Sequence, residues 1–151
     1  VFCFDINISN FKYKSKNIHV FGIDINNEQK INKTLKSIFS RFNFKEFDLV
    51  IDDGSHNLSD ILNGLKIFFR HTKSKGLYII EDFKHPNYYP YNKNINHILV
   101  DEFLDNLLNK KIISSSIFSE NDQLDLINKI EKIEKFKGNL ENSDLSFITK
   151  K

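Results

Sequence analysis

Four short apolar runs, each closing on acidic residues, alternate with stretches that have helical periodicity, and this pattern constrains the chain more than any other. Residues 1–6, 18–23, 47–51 and 77–80 are brief, rich in β-branched or aromatic side chains and bounded by Asn, Asp, Lys or Ser, which marks them as buried strands. Between the second and third runs, Ile31, Leu35, Ile38, Phe39 and Phe42 recur at spacings of three and four. That spacing predicts an amphipathic helix over Glu28–Phe42. After the third run, Ser59 is placed to cap a helix whose Ile61, Leu62, Leu65, Phe68 and Phe69 line one face and which ends near His71. Lys73-Ser74-Lys75-Gly76 then supplies a turn before the fourth run.

Strand, helix and strand repeated at this pace predict an α/β fold, a Rossmann-like and mainly parallel sheet flanked by helices. The C-terminal third adds helices over 101–109 and 123–130, then an antiparallel hairpin formed by 133–137, a turn at 138–143 and Asp144–Lys150. At 151 residues the chain fits one domain, 1–151, with a single core. It opens directly on a strand-like run and contains no methionine, so it is expected to be an N-terminally truncated piece of a longer protein.

Composition removes several functional classes. A net charge of +2 comes from Lys spread along the chain, without the basic stripe that nucleic acid binding requires. Cys3 is the sole cysteine, which excludes a disulfide scaffold and a cysteine zinc site. No apolar stretch reaches the length of a membrane span and no N-terminal signal is present; a cytoplasmic protein without membrane or nucleic acid partners is expected. Oligomeric state is left open by the sequence.

In open α/β sheets ligands bind beyond the carboxyl ends of the strands. Here those ends carry Asp5, Asp24, Asp52-Asp53-Gly54-Ser55-His56 and Glu81-Asp82. Asp53, Glu81 and Asp82 sit at the tips of strands expected to be neighbours, and carboxylates held close repel unless a cation lies between them. Oxygen ligation without Cys favours Mg2+, with Mn2+ or Ca2+ next. The plainer alternative is that Glu81 or Asp82 caps the following segment. His56, three residues after Asp53, suits a general base facing a substrate hydroxyl. His71 is expected to cap a helix end, and His85 follows Asp82 closely enough to line the same mouth. Tyr88, Tyr89 and Tyr91 could wall an acceptor pocket or simply form a surface loop.

The segment Phe47-Asp48-Leu49-Val50-Ile51-Asp52-Asp53-Gly54-Ser55-His56, followed by Gly76-Leu77-Tyr78-Ile79-Ile80-Glu81-Asp82, resembles class I methyltransferases of the macrocin and mycinamicin sugar O-methyltransferase type, related to the cephalosporin hydroxylase group. The resemblance implies S-adenosylmethionine as methyl donor, Mg2+ as the ion that orients an acceptor hydroxyl, and a small molecule or sugar as acceptor. It places metal ligands at Asp53, Glu81 and Asp82 and the catalytic base at His56. Asp5 corresponds to the carboxylate on the cofactor's ribose, Asp24 to the acidic residue beside the adenine, and Asp52 to a further contributor on the cofactor side. The glycine-rich turn that such enzymes carry after their first strand does not precede Asp5. If residues 1–6 correspond to the second strand of the family, the first strand and that turn lie outside this sequence. A metal-dependent hydroxylase or hydrolase on the same fold, and an inactive scaffold domain, are the alternatives.

Overall fold

The computed structural model describes residues 1–85, 98–139 and 143–151. Its elements run β1 (Phe2–Asp5), β2 (His19–Gly22), α1 (Glu28–Phe42), β3 (Phe47–Asp52), α2 (Leu58–Phe68), a 3-10 turn (Phe69–His71), β4 (Thr72–Glu81), α3 (Val100–Leu108), α4 (Glu120–Lys129), β5 (Ile130–Lys137) and β6 (Asp144–Lys150). They gather into two compact units, Val1–Lys45 and Glu46–Lys151.

In the first unit, helix α1 begins where the Asn27 side chain accepts a hydrogen bond from the Lys30 amide at 3.0 Å. It stops at Asn43, which adopts the left-handed conformation that closes helices and donates its amide to the Phe39 carbonyl. Ile31, Leu35 and Ile38 are buried, as the periodicity predicts. Phe42 packs edge-on against Phe2, with 5.1 Å between ring centroids, and tilts against His19 at 4.5 Å, so His19 serves packing. Strands β1 and β2 pair in parallel, from Phe2 opposite His19 to Asp5 opposite Gly22.

The second unit holds a four-stranded sheet in the order β3-β4-β6-β5. Strands β3 and β4 are parallel, while β6 runs antiparallel to both β4 and β5. The expected single, mainly parallel sheet is found in part: the described residues form two sheets, and the larger is mixed, with β3, β4 and β5 running one way and β6 against them. The C-terminal hairpin is the cause: its short connection forces β6 to run back along β5, and β6 inserts between β5 and β4. The hairpin itself forms as the alternating pattern of residues 144–150 predicts.

Three local expectations shift. The anticipated turn at residues 73–76 lies inside β4, where pairing jumps from Phe47 opposite Thr72 to Leu49 opposite Leu77. It is a bulge: Lys75 has φ 62°, and a β-carbon on Gly76 would lie 2.9 Å from the carbonyls of Asp48 and Lys73. Helix α2 starts after Asn57 rather than Ser59, because Ser55 and Asn57 both bond to Asp60 in its first turn. Helix α4 starts earlier than the apolar pattern indicates, at a capping box in which Ser119 and Asp122 each bond the other's backbone amide.

The core of this unit lies on one face of the sheet. Leu58, Ile61, Leu62 and Leu65 of α2 meet Tyr78 and Ile80 of β4, Phe103 and Leu104 of α3, and Phe118, all at most 2 % exposed. Full burial of a Leu or Phe side chain contributes about 1.5–3 kcal/mol, so this layer fixes β3 and β4 and with them the loops at their carboxyl ends. Among the described residues no helix is long and apolar enough to cross a membrane.

Candidate functional site

Asp5 and Asp24 belong to the first unit. Asp5 ends β1, and its Oδ1 accepts the Asn7 amide at 2.7 Å. Asp24 lies two residues beyond Gly22, the partner of Asp5, and its Oδ1 accepts the Asn26 amide at 2.9 Å. Both are turn-forming aspartates that hold the chain as it leaves a strand.

In the second unit the loop after β3 is built residue by residue. Asp52 follows Val50 onto the strand face that meets α2, and the Tyr78 hydroxyl donates to its Oδ2 at 3.1 Å. Burial raises the Asp52 carboxyl to about 6; the bonds from Tyr78 and the Gly54 amide, and the nearby His56, oppose that rise. Burial likewise pushes the Tyr78 phenol upward, reinforced by the neighbouring carboxylate. The next side chain, Asp53, points outward and is 60 % exposed. The loop closes where the Ser55 hydroxyl donates to Asp60, and His56 takes φ 55°, which swings its ring away from the path of the helix that follows.

That ring lands between two carboxylates. His56 Nε2 is 3.7 Å from Asp53 Oδ1 and 3.9 Å from Asp82 Oδ2. Asp82 arrives there because it too has positive φ, 50°, so its side chain leaves the alternation of β4. Beyond it the chain turns, the His85 amide bonding to the Asp82 carbonyl at 2.8 Å. Phe83 is driven into the core at 1 % exposure, Lys84 Nζ reaches the buried Asp144 at 3.7 Å, and the His85 ring lies 5.0 Å from that of His56.

The expected gathering of Asp53, Glu81 and Asp82 around a cation does not form as such. Among the described residues no three His, Cys, Asp or Glu side chains converge closely enough to hold a metal ion. The imidazole of His56 fills the space between Asp53 and Asp82, and Glu81 keeps the strand alternation, sharing the face of Leu77 and Ile79. Carboxylate oxygens are the right donors for Mg2+, but in this arrangement they are not assembled as a ligand set. Tyr88, Tyr89 and Tyr91 lie outside the described residues. His71 is half-buried at the end of the 3-10 turn, and desolvation with the cationic Arg70 and Lys150 lowers its pKa. Two residues beside the loop escaped the sequence argument, Tyr78 as the partner of Asp52 and Gly64 of α2 next to them. His85, expected from its closeness to Asp82 to line the same mouth, is a ring neighbour of His56.

Acidic loops and an imidazole lie at the carboxyl ends of β3 and β4, in a fold similar to that of solved methyltransferase structures. Solved structures of MycE methyltransferase from the mycinamycin biosynthetic pathway share it. Two crystal forms in complex with Mg and SAH match with TM-scores of 0.65 and 0.64 at 20 % identity. A complex with Mg, SAH and mycinamycin VI matches with a TM-score of 0.64 at 19 % identity. Each match covers 99 % of this chain and 36 % of the MycE chain, so the chain spans about a third of the proteins it resembles. No family model and no curated protein sequence matches it.

Proposed function

We propose that this chain is part of an S-adenosylmethionine-dependent O-methyltransferase acting on a hydroxyl of a small molecule or sugar. The observation that carries the proposal is the His56 imidazole held between Asp53 and Asp82 at the ends of two parallel strands, in a fold shared with an enzyme crystallised with Mg and SAH.

His56 is the base. Its ring is part-exposed, at 22 %, which leaves Nε2 able to meet a hydroxyl, and the flanking carboxylates balance the charge once the ring has taken the proton. S-adenosylmethionine, when bound, would supply the methyl group, the new C–O bond forming as the C–S bond breaks and S-adenosylhomocysteine leaves; positioning would supply much of the acceleration. Within the first unit, Asp5 and Asp24 are the groups suited to the cofactor's ribose hydroxyls and adenine. Mg2+, or Mn2+ in its place, is proposed at Asp53, Glu81 and Asp82 on the chemistry of their oxygens alone, and neither the proton transfer nor the methyl attack is routed through it.

Calorimetric titration with S-adenosylmethionine, run with and without Mg2+, tests the proposal. Saturable heat supports it, and a heat that depends on Mg2+ supports the metal as well; the absence of any binding heat contradicts it. His56→Ala is expected to abolish turnover while leaving cofactor affinity nearly unchanged.

A further inference from the structure

We propose that Asp52 and Tyr78 are the positioning pair of the His56 loop, the buried phenol clamping the carboxylate from which the loop departs. The proposal deepens the methyl-transfer reading by naming what aims its base, and it takes Asp52 away from the cofactor side, where the sequence resemblance put it.

The geometry is specific. Tyr78 is 1 % exposed, and a Phe would fill the same core position without a hydroxyl to satisfy. That hydroxyl donates to Asp52 Oδ2 at 3.1 Å, while the same carboxylate accepts the Gly54 amide two residues on. One side chain therefore ties the core strand β4 to the first bend of the loop. Helix α2 is shaped around the pair: a β-carbon on Gly64 would lie 2.6 Å from Asp52 Oδ2 and 3.1 Å from the Tyr78 hydroxyl. At its far end the loop is tied to α2, the Ser55 hydroxyl donating to Asp60. With both ends held, the positive φ of His56 has a fixed frame against which to turn its ring.

NMR of the whole chain tests this without cofactor, metal or substrate. The rings of His56 and His85, 5.0 Å apart, should give a cross-relaxation peak, as should Phe69 and Tyr78, whose centroids lie 6.4 Å apart. In Tyr78→Phe the peak between the histidines is expected to vanish and the amides of Gly54, Ser55 and His56 to shift, with the Phe69 peak retained. Asp52→Asn keeps an oxygen that accepts from Tyr78 and should preserve the histidine peak; Asp52→Ala should lose it. Persistence of the histidine peak in Tyr78→Phe overturns the proposal. So does loss of the Phe69 peak together with it, which would make the hydroxyl a support of the fold at large. Failure of the methyl-transfer reading would appear in the calorimetric titration and leave these spectra unaltered.

Discussion

His56 and Asp82 face each other at 3.9 Å, and both hold positive backbone φ, 55° and 50°. Left-handed backbone is uncommon for residues other than glycine and carries about 1–3 kcal/mol of strain. Each residue reaches the other only through that conformation. An ordinary helical start would carry the imidazole along α2, and a continued strand would carry the Asp82 carboxylate along the alternation of β4. The packed elements behind them, α2 on one side and the buried Phe83 on the other, hold the backbone where these side chains meet.

Backbone strain at His56 can be read by comparing two truncations. At positive φ glycine is unstrained and alanine is not, so His56→Gly should be more stable than His56→Ala by about 1 kcal/mol. The ordinary ranking of the two residues is the reverse. Urea unfolding of the pair decides it; an Ala variant as stable as the Gly variant would mean that His56 is not held in the left-handed region.

Gly64 sets helix propensity against packing. In an open helix, alanine in place of glycine gains about 1 kcal/mol. Here the added methyl would meet the Asp52 carboxylate, and overpacking of this kind is destabilising by about 1–3 kcal/mol. Gly64→Ala should therefore lower the unfolding midpoint, and a rise would show that the space above Asp52 is larger than the structure has it.

Stability should respond to pH through Asp52. Its carboxyl is raised to about 6 in the folded chain from 3.8, so the unfolded chain gives up this proton first. The folded state is favoured below pH 3.8 and loses that advantage as pH rises to about 6. The difference corresponds to about 3 kcal/mol at most. Asp52→Asn, which has no charge to bury, should gain stability relative to the parent chain at about pH 8 and lose most of that gain at about pH 4. Thermal midpoints of both proteins at the two values measure it; a gain independent of pH would refute the buried charge.

Phe83 anchors the turn that carries His85. Phe83→Ala should destabilise the second unit by about 3–5 kcal/mol and free the His85 ring from His56. The loss of their cross-relaxation peak checks the second effect. A peak that survives would mean the turn is held by Lys84 and Asp144 instead.

The candidate site was partly legible because its members sit close to strand ends. Asp53, His56 and Asp82 follow apolar runs, and the i, i+3 relation of the first two brings them near each other in any tight loop. Glu81 could not be told apart from Asp82 in sequence because a single residue changes sides at the end of a strand, and only the φ of Asp82 decides which of the two acids leaves the alternation. Tyr78 and Gly64 were illegible for another reason. Tyr78 looks like one more apolar residue in Leu77-Tyr78-Ile79-Ile80, and its contact with Asp52 spans 26 positions, a separation no local pattern reports. The antiparallel hairpin of β5 and β6 could be seen in the sequence, but the placing of β6 beside β4 is a tertiary choice, as is the absorption of residues 73–76 into β4 as a bulge.

The central claim is tested most directly by amide spectra recorded while S-adenosylmethionine is added to the whole chain. Saturable shifts of Asn7 and Asn26, whose amides bond to Asp5 and Asp24, along one binding curve are the predicted result. Spectra unchanged at these residues up to millimolar cofactor would contradict it.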